Sequence, residues 1–116
     1  VRYERNGEQW NYEFFLLEVD TEFPLSRDQA VEILRGENAL ARAYYSPPLH
    51  RSLHCPDFIS TPELPVTEQL AQRFIQMPVG ESLLPGDESV LADLFRFMRD
   101  HAPDIRTAFA RGGQPR

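Results

Sequence analysis

Apolar and polar residues alternate in three short segments of the chain, which indicates three β-strands. The longest of these segments runs from Trp10 to Asp20. Both of its faces are apolar in the middle, which predicts a central strand that is covered on both sides or lies at an interface. One face carries Tyr12, Phe14, Leu16 and Glu18, and the other carries Phe15, Leu17 and Val19.

The second strand pattern follows Glu37 and the third covers Phe74 to Met77. In the second, Leu40 and Arg42 point one way, whereas Ala39, Ala41 and Ala43 point the other. We expect Arg42 to form a structural ion pair along its strand. Consecutive prolines at positions 47 and 48 end this strand, because each lacks a backbone donor. Pro78 ends the third strand in the same way.

Helical spacing of apolar residues indicates the remaining elements. Ser26 and Gln29 form a predicted capping box, and Gly36 is predicted to end that helix in a left-handed conformation. A short helix is predicted from Pro65 to Arg73, with Val66, Leu70 and Ala71 on one face. Asp87 is the predicted N-cap of the last strong helix, and Pro103 separates it from a further helical stretch at 104–111. The two apolar stripes contain Ala30, Val31, Ile33 and Leu34, and Val90, Leu91, Leu94, Phe95, Phe97 and Met98.

The order strand, helix, strand, helix, strand, helix predicts an α+β fold. We expect a small antiparallel or mixed sheet of about three strands packed with helices. Residues 1–116 are predicted to form a single small domain, with a frayed tail at 112–116. The hydrophobic content of 41% over 116 residues fits one such domain.

Charge and cysteine content exclude several function classes. The net charge of -6 argues against binding to nucleic acid or to an anionic membrane surface. The sequence contains no run of about 18 apolar residues, so it predicts no transmembrane helix. Cys55 is the single cysteine, so an internal disulfide cannot form and a reducing cytoplasm is the expected location.

The rigid proline turn carries the candidate site. Tyr44 and Tyr45 precede the prolines, and His50 and Arg51 follow them, so we predict that these four residues bind substrate. His50 could donate to a diphosphate or a sugar hydroxyl, and Arg51 could pair with a diphosphate. The alternative for each is structural: a buried tyrosine, a capping histidine, a solvated arginine.

A zinc site is the other chemistry that this region suggests. His50 and His54 are four residues apart, and Cys55 follows directly. A structural zinc site needs four ligands, and one cysteine would leave carboxylates to complete it. We therefore expect no metal site, and a short helical turn in which His50 faces a pocket.

Two blocks of sequence, ENALARAYYSPPLH and LPVTEQLAQRFIQMPVG, extend this interpretation. They resemble the carboxyl-terminal part of the DegT/StrS family of nucleotide-sugar aminotransferases, and the resemblance covers most of the chain, roughly Trp10 to Met98. It implies the small domain of a fold-type I transferase that uses pyridoxal phosphate. Family members transfer an amino group from glutamate to a keto-sugar nucleotide in deoxyaminosugar biosynthesis. The small domain would contribute a wall of the substrate cleft and an interface.

All 12 basic residues are arginines, and the chain contains no lysine. Family members hold pyridoxal phosphate as a Schiff base on a lysine amine, and a guanidinium is not a usable nucleophile for that bond. We therefore predict that this chain alone binds no cofactor and is inactive, with pyridoxal phosphate implied for the complete family enzyme.

Three classes of function stay open on the sequence. The chain could be the small domain of a sugar aminotransferase, with a lysine-bearing large domain or partner chain. It could be a stand-alone, non-catalytic accessory domain that binds a sugar nucleotide or a partner protein. It could also be an unrelated α+β interaction domain. A homodimer or a lysine-bearing partner is expected to cover an apolar patch drawn from Trp10, Tyr12, Phe14, Phe15 and Phe23.

Overall fold

The computed structural model describes residues 13–52, 63–81 and 83–112. These residues form three strands, four α-helices and one 3-10 turn. The strands are β1 (Phe15–Glu18), β2 (Arg42–Ala43) and β3 (Phe74–Met77). The α-helices are α1 (Arg27–Gly36), α2 (Pro65–Ala71), α3 (Asp87–Asp100) and α4 (Ala102–Gly112), and the 3-10 turn is Leu49–Arg51. This confirms the predicted α+β class.

The three strands form an antiparallel sheet in the order β1-β3-β2. Phe15 pairs with Met77 at one end of the β1–β3 ladder, and Glu18 pairs with Phe74 at the other. On the opposite side of β3, Ala43 pairs with Ile75. The last strand in sequence therefore lies at the centre. Helix α1 connects the two edge strands, whereas the proline turn and α2 lie between β2 and the central strand β3.

One face of the sheet packs against helices and forms the core. Ile75 and Met77 point from β3 into it, and Leu34 of α1 and Met98 of α3 meet them there. Phe15 and Leu17 pack against the same cluster from β1. The alternation predicted for β1 is thus confirmed for its inward face. The alternation predicted for the segment that leads into β2 is confirmed as well, because Ala41 is buried and Leu40 and Arg42 are exposed.

The described residues cover the second face of the sheet only in part. Leu16 of β1 and Phe74 of β3 belong to this face, because side chains alternate along a strand and their neighbours Phe15, Leu17 and Ile75 pack in the core. The short helix α2 lies over this side, and its Leu70 and Ala71 approach Leu16 and Phe74. The groove described below occupies the space between them.

The start of α1 is fixed by its cap and by a buried arginine. Ser26 Oγ accepts from the Gln29 amide at 3.2 Å, and Gln29 Oε1 accepts from the Ser26 amide at 3.0 Å, which confirms the capping box. Arg27 is only 3% exposed. Its Nη1 donates to the Phe74 carbonyl at 3.1 Å, and its Nε donates to Asp28 at 2.6 Å. Arg27 therefore ties α1 to the start of the central strand.

The end of α1 differs from the prediction for Gly36. The left-handed residue is Asn38, with φ of 62°, whereas Gly36 is the last helical residue. The Asn38 amide donates to the Arg35 carbonyl and the Ala39 amide to the Leu34 carbonyl. This is the Schellman arrangement, in which asparagine serves as well as glycine because its short side chain tolerates positive φ.

Two predictions about strands are wrong in their details. The described part of the segment Trp10 to Asp20 is a strand only over Phe15–Glu18, and it lies at the edge of the sheet. Leu16 on its second face lines a groove, so cover by helices on both sides is the wrong alternative, whereas an interface at this face stays a prediction. The ion pair expected for Arg42 is also absent among the described residues. Trp10 and Tyr12 lie outside the described residues.

The helical predictions after Pro65 hold with shifts of a residue or two. Helix α2 begins at Pro65, as expected, but of its three predicted apolar contacts only Ala71 is buried. Asp87 is the first residue of α3 and not its cap; its Oδ2 accepts from the Leu84 amide at 2.8 Å. Met98 is the fully buried member of the α3 stripe, whereas Val90 and Phe97 are exposed.

The α3–α4 boundary falls where Pro103 predicts it, and Ile105 of α4 packs against the core. Residues 113–116 of the expected frayed tail lie outside the described part, as do His54 and Cys55. No helix within the described ranges is both long and apolar enough to cross a membrane.

Candidate functional site

An apolar groove of about 600 Å³ lies on the second face of the sheet. The proline turn and the residues next to it form one wall, and α2 forms the opposite wall. Leu16 and Phe74 supply the floor from β1 and β3. The walls consist of Tyr44, Tyr45, Pro47, Pro48, Leu49 and Ser52 on one side and Thr67, Leu70 and Ala71 on the other.

The proline turn forms because the chain must leave the sheet after β2. The Tyr44 amide still donates to the Phe74 carbonyl at 3.0 Å, which is the last bond of the ladder. The prolines then offer no donor to a neighbouring strand, so pairing ends as predicted. Tyr45 adopts positive φ (46°), which is uncommon for an aromatic residue, and the Ser46–Pro47 peptide is cis.

The two tyrosines form an aromatic wall. Their ring centroids are 4.1 Å apart at an angle of 51°, and Phe14 lies 6.3 Å from Tyr44 on the other side. A hydrogen bond with Tyr45, together with desolvation, raises the pKa of Tyr44. Tyr44 is therefore neutral near pH 7, and Tyr45 remains largely exposed above it. Such a wall offers flat apolar surface with hydroxyl groups at its rim.

Behind the turn, three donors converge on one carboxylate oxygen of α2. Glu68 Oε1 lies 3.1 Å from His50 Nε2, 3.0 Å from Arg51 Nε and 2.7 Å from Arg51 Nη2. The His50 side chain is only 8% exposed, whereas that of Arg51 is 55% exposed. This Glu68 cluster (His50, Arg51 and Glu68) joins the wall formed by the turn to the wall formed by α2.

The donors in the Glu68 cluster stabilise the ionised carboxylate. Hydrogen bonds from Arg51, and then from His50, lower the pKa of Glu68 below its usual range, although desolvation acts in the opposite direction. The carboxylate is therefore charged throughout the neutral range, and Arg51 balances that charge.

The lowered pKa of Glu68 gives a pH-dependent prediction. A carboxylate with a depressed pKa stabilises the fold in full above the pKa of the unfolded chain, about 4.3, and loses this effect as the pH falls through the folded value. We expect Glu68→Gln to lower the urea midpoint clearly near neutral pH and less at about pH 3. That pH lies below the unfolded pKa, so part of the stabilisation by the carboxylate is already lost there. Glu63→Gln, at an exposed glutamate just before α2, is the matched control. Its effect on the urea midpoint should not decrease between neutral pH and the acidic pH. An equal loss at both pH values would contradict the prediction.

The structure divides the four predicted site residues into two pairs. Tyr44 and Tyr45 line the groove. His50 and Arg51 lie on the 3-10 turn, which agrees with the expected helical turn, but their nitrogens are directed at Glu68. His50 was expected to face a pocket, and its Nε2 instead contacts a carboxylate behind the groove wall. Contact of any of the four with substrate stays a prediction.

Glu68 and Arg27 were not identified as important from the sequence. In the sequence, Glu68 is one of many acidic residues and nothing in its surroundings distinguishes it. No local spacing links it to His50, since the two are 18 positions apart. Arg27 follows an N-cap, where a solvated side chain is the usual outcome, and only the tertiary fold brings it under β3.

Comparison with protein families matches residues 2–95 to the DegT/DnrJ/EryC1/StrS aminotransferase family. The chain belongs to this family. The match includes β1 to β3, both walls of the groove and most of α3, so the resemblance noted in the two sequence blocks is confirmed.

This chain is similar to one curated protein in sequence and to one crystal structure in fold. A dTDP-4-amino-4,6-dideoxy-D-glucose transaminase of Escherichia coli is 34% identical over 74 residues, which are 60% of this chain and 19% of that protein. A crystal structure of DesI in the presence of its TDP-sugar product superposes with a TM-score of 0.62 at 30% identity, covering 84% of this chain and 25% of that one. The chain thus spans about a fifth to a quarter of the length of these relatives.

Pyridoxal phosphate is the cofactor that the family implies for the full enzyme. The residues present here do not fit its covalent attachment, because none of the 116 is a lysine and arginine cannot replace the amine. The described residues also offer no glycine-rich loop at a helix start that would cradle a phosphate. The groove is instead suited to binding, with aromatic and aliphatic walls and one exposed guanidinium beside them.

Proposed function

We propose that this chain forms the small, carboxyl-terminal domain of a nucleotide-sugar aminotransferase and supplies one wall of its substrate cleft. The observation that supports this most directly is the apolar groove with tyrosines on one wall and an arginine behind it, in a chain of this family. The amino transfer itself, with pyridoxal phosphate, would belong to a large domain that carries the lysine.

The chemistry of the groove fits a nucleoside diphosphate sugar. Tyr44 and Tyr45 offer aromatic surface for a flat ring or the apolar face of a sugar, with hydroxyl groups for its polar edge. Arg51 has five N–H donors, and its Nε and Nη2 bind Glu68, so the rest of its fork is available to a diphosphate. His50 would act through the cluster, since its Nε2 already contacts Glu68.

The names of the relatives support a particular ligand class. Both the Escherichia coli transaminase and the DesI structure concern sugars linked to thymidine diphosphate. We therefore propose a thymidine-diphosphate sugar as the ligand of the complete cleft. A single wall should bind it weakly, with a dissociation constant of about 1 mM, because most of the ligand would remain in water.

A ligand titration tests this proposal. We expect dTDP-glucose, added at millimolar concentration to the isotope-labelled chain, to shift the amide resonances of Tyr44, Tyr45 and Leu49. A second hollow lies between residues 37–40 and the start of α3, and the amide resonances of its Leu83 and Leu91 should stay in place. Tyr45→Ala should weaken the binding of dTDP-glucose about tenfold, because one good aromatic contact is lost.

The matched control is Phe97→Ala, which removes an exposed aromatic ring from α3 far along the chain from the groove. Phe97→Ala should leave the titration unchanged. No shift at millimolar dTDP-glucose, or shifts confined to the second hollow, would contradict a sugar-nucleotide wall at this groove. Equal shifts with glucose alone would contradict the role of the nucleoside diphosphate.

A further inference from the structure

We propose that Glu68 is the positioning residue of the groove, which holds the proline turn at a fixed distance from α2. The role of Glu68 in fixing the turn rests on the geometry alone. Its effect on ligand binding rests on the proposed function.

The Glu68 cluster joins the two walls directly. His50 and Arg51 belong to the 3-10 turn that continues from Pro48, and Glu68 belongs to the first turns of α2. Three donor–acceptor distances of 2.7–3.1 Å meet on one oxygen atom, Glu68 Oε1. Charge-assisted bonds of this kind are short and directional, so they fix both the spacing and the orientation of the walls.

Apolar contact contributes little to holding these walls together. Leu49, at the centre of the turn wall, is strongly exposed, and so is Val66 on α2. Leu70 borders the groove itself and is exposed as well. The side chain of His50 is the well-buried group of the turn, and its Nε2 is directed at Glu68. Among the residues that the structure describes, the polar cluster is therefore the main link between the two walls.

The position of the tyrosines depends on the same link. Tyr45 and Leu49 are joined by only three residues, of which two are prolines with restricted φ. A shift of the Leu49–Arg51 turn is therefore transmitted to the aromatic wall and is not absorbed between them. Glu68 does not line the groove, so it acts through His50 and Arg51 and not by touching a ligand.

The tautomer of His50 gives a test that needs no mutation. An Nε2–H donating to the carboxylate requires the proton on Nε2 in the neutral ring. Nitrogen chemical shifts of the neutral ring at alkaline pH should therefore show protonated Nε2 and bare Nδ1. A neutral ring protonated at Nδ1 alone would overturn the proposal.

Substitution tests the consequence for the turn. The amides of Arg51 and Ser52 donate to the Pro48 and Leu49 carbonyls within the turn, at 2.8 and 3.0 Å. Glu68→Ala should accelerate their hydrogen exchange about tenfold relative to Glu63→Ala, the matched control, because a link worth about one net hydrogen bond is lost. Glu68→Gln keeps an acceptor oxygen and should give an intermediate rate. Core amides, such as that of Leu34, should be unaffected.

Ligand affinity completes the test and separates the two proposals. Glu68→Ala should weaken dTDP-glucose binding about tenfold, whereas Glu63→Ala should not change it. Unchanged exchange at Arg51 and Ser52 in Glu68→Ala would overturn the positioning role even if the wild-type chain binds the ligand. A wild-type chain that does not bind dTDP-glucose would contradict the proposed function and leave the exchange result to decide the role of Glu68.

Discussion

Leu34→Ala is expected to lower the free energy of unfolding by about 3 kcal/mol, the middle of the range for a buried leucine. Leu34 has no exposed surface, and it lies where α1, β3 and α3 meet. The loss combines the transfer of the removed atoms with the cavity left among Ile75 and Met98. A small domain has a total stability of about 5 kcal/mol at the lower end, so the loss should lower the urea midpoint by roughly half or more.

Leu40→Ala is the matched control, since it makes the same chemical change on a side chain that is 67% exposed. Its effect should stay within about 0.5 kcal/mol. Urea unfolding followed by circular dichroism measures both variants. Similar losses for the two leucines would mean that the core does not lie on the α1 side of the sheet.

The elements that the sequence predicts best are those encoded locally. The capping box of Ser26 and Gln29 needs only their spacing, and it forms as expected. Pro78 and Pro103 end their elements because a missing backbone donor acts wherever the residue lies. Alternation in β1 and β2 also identifies the inward faces, since the pleat alone determines them.

The elements predicted less well depend on tertiary neighbours. Strand order is not encoded in the apolar pattern of the segment around Phe14, because an edge strand over a groove and a central strand can carry the same residues. Gly36 and Asn38 compete for one left-handed position, and the hydrogen bonds to Arg35 and Leu34 select Asn38. The exposure of Val66 likewise depends on the elements against which α2 packs.

The candidate site shows the same division. A rigid turn with tyrosines before it and His50 after it follows from the two prolines and is recognisable in the sequence. The acceptor for His50 and Arg51 is not, because Glu68 reaches them only after α2 folds back over the sheet. The sequence therefore identified the wall of the groove but not the residue that fixes it.

The partly covered second face of the sheet bears on how the chain assembles. Phe14 is 51% exposed beside Tyr44, and Tyr45, Leu49 and Leu70 add exposed apolar surface around the same groove. Within the described ranges, one seven-residue helix, α2, lies over this side. Contiguous apolar surface of this kind on a small protein usually marks an interface.

We expect the chain to associate through this face, either with a second copy or with a lysine-bearing large domain. Phe14→Glu places a charge in the apolar face while leaving the core intact, so it should raise the dissociation constant of the assembly about a hundredfold or more, as for a central apolar contact. Sedimentation at micromolar concentration, with the chain alone and after co-expression with a lysine-bearing large domain, measures the effect. The monomer mass is 13.4 kDa, so association is readily resolved.

Two substitutions separate an interface from a general loss of stability. Phe97→Glu changes a ring that is equally exposed, at 51%, but lies on α3, and it should leave association unchanged. Phe15→Glu puts the charge on the opposite face of β1, where Phe15 packs against the core, so it should lower the melting temperature as well. A wild-type chain that stays monomeric both alone and with the large domain would contradict the assembly. If Phe97→Glu and Phe14→Glu weakened association equally, the interface would not lie at the groove face, because of these two residues Phe14 lies on that face and Phe97 does not.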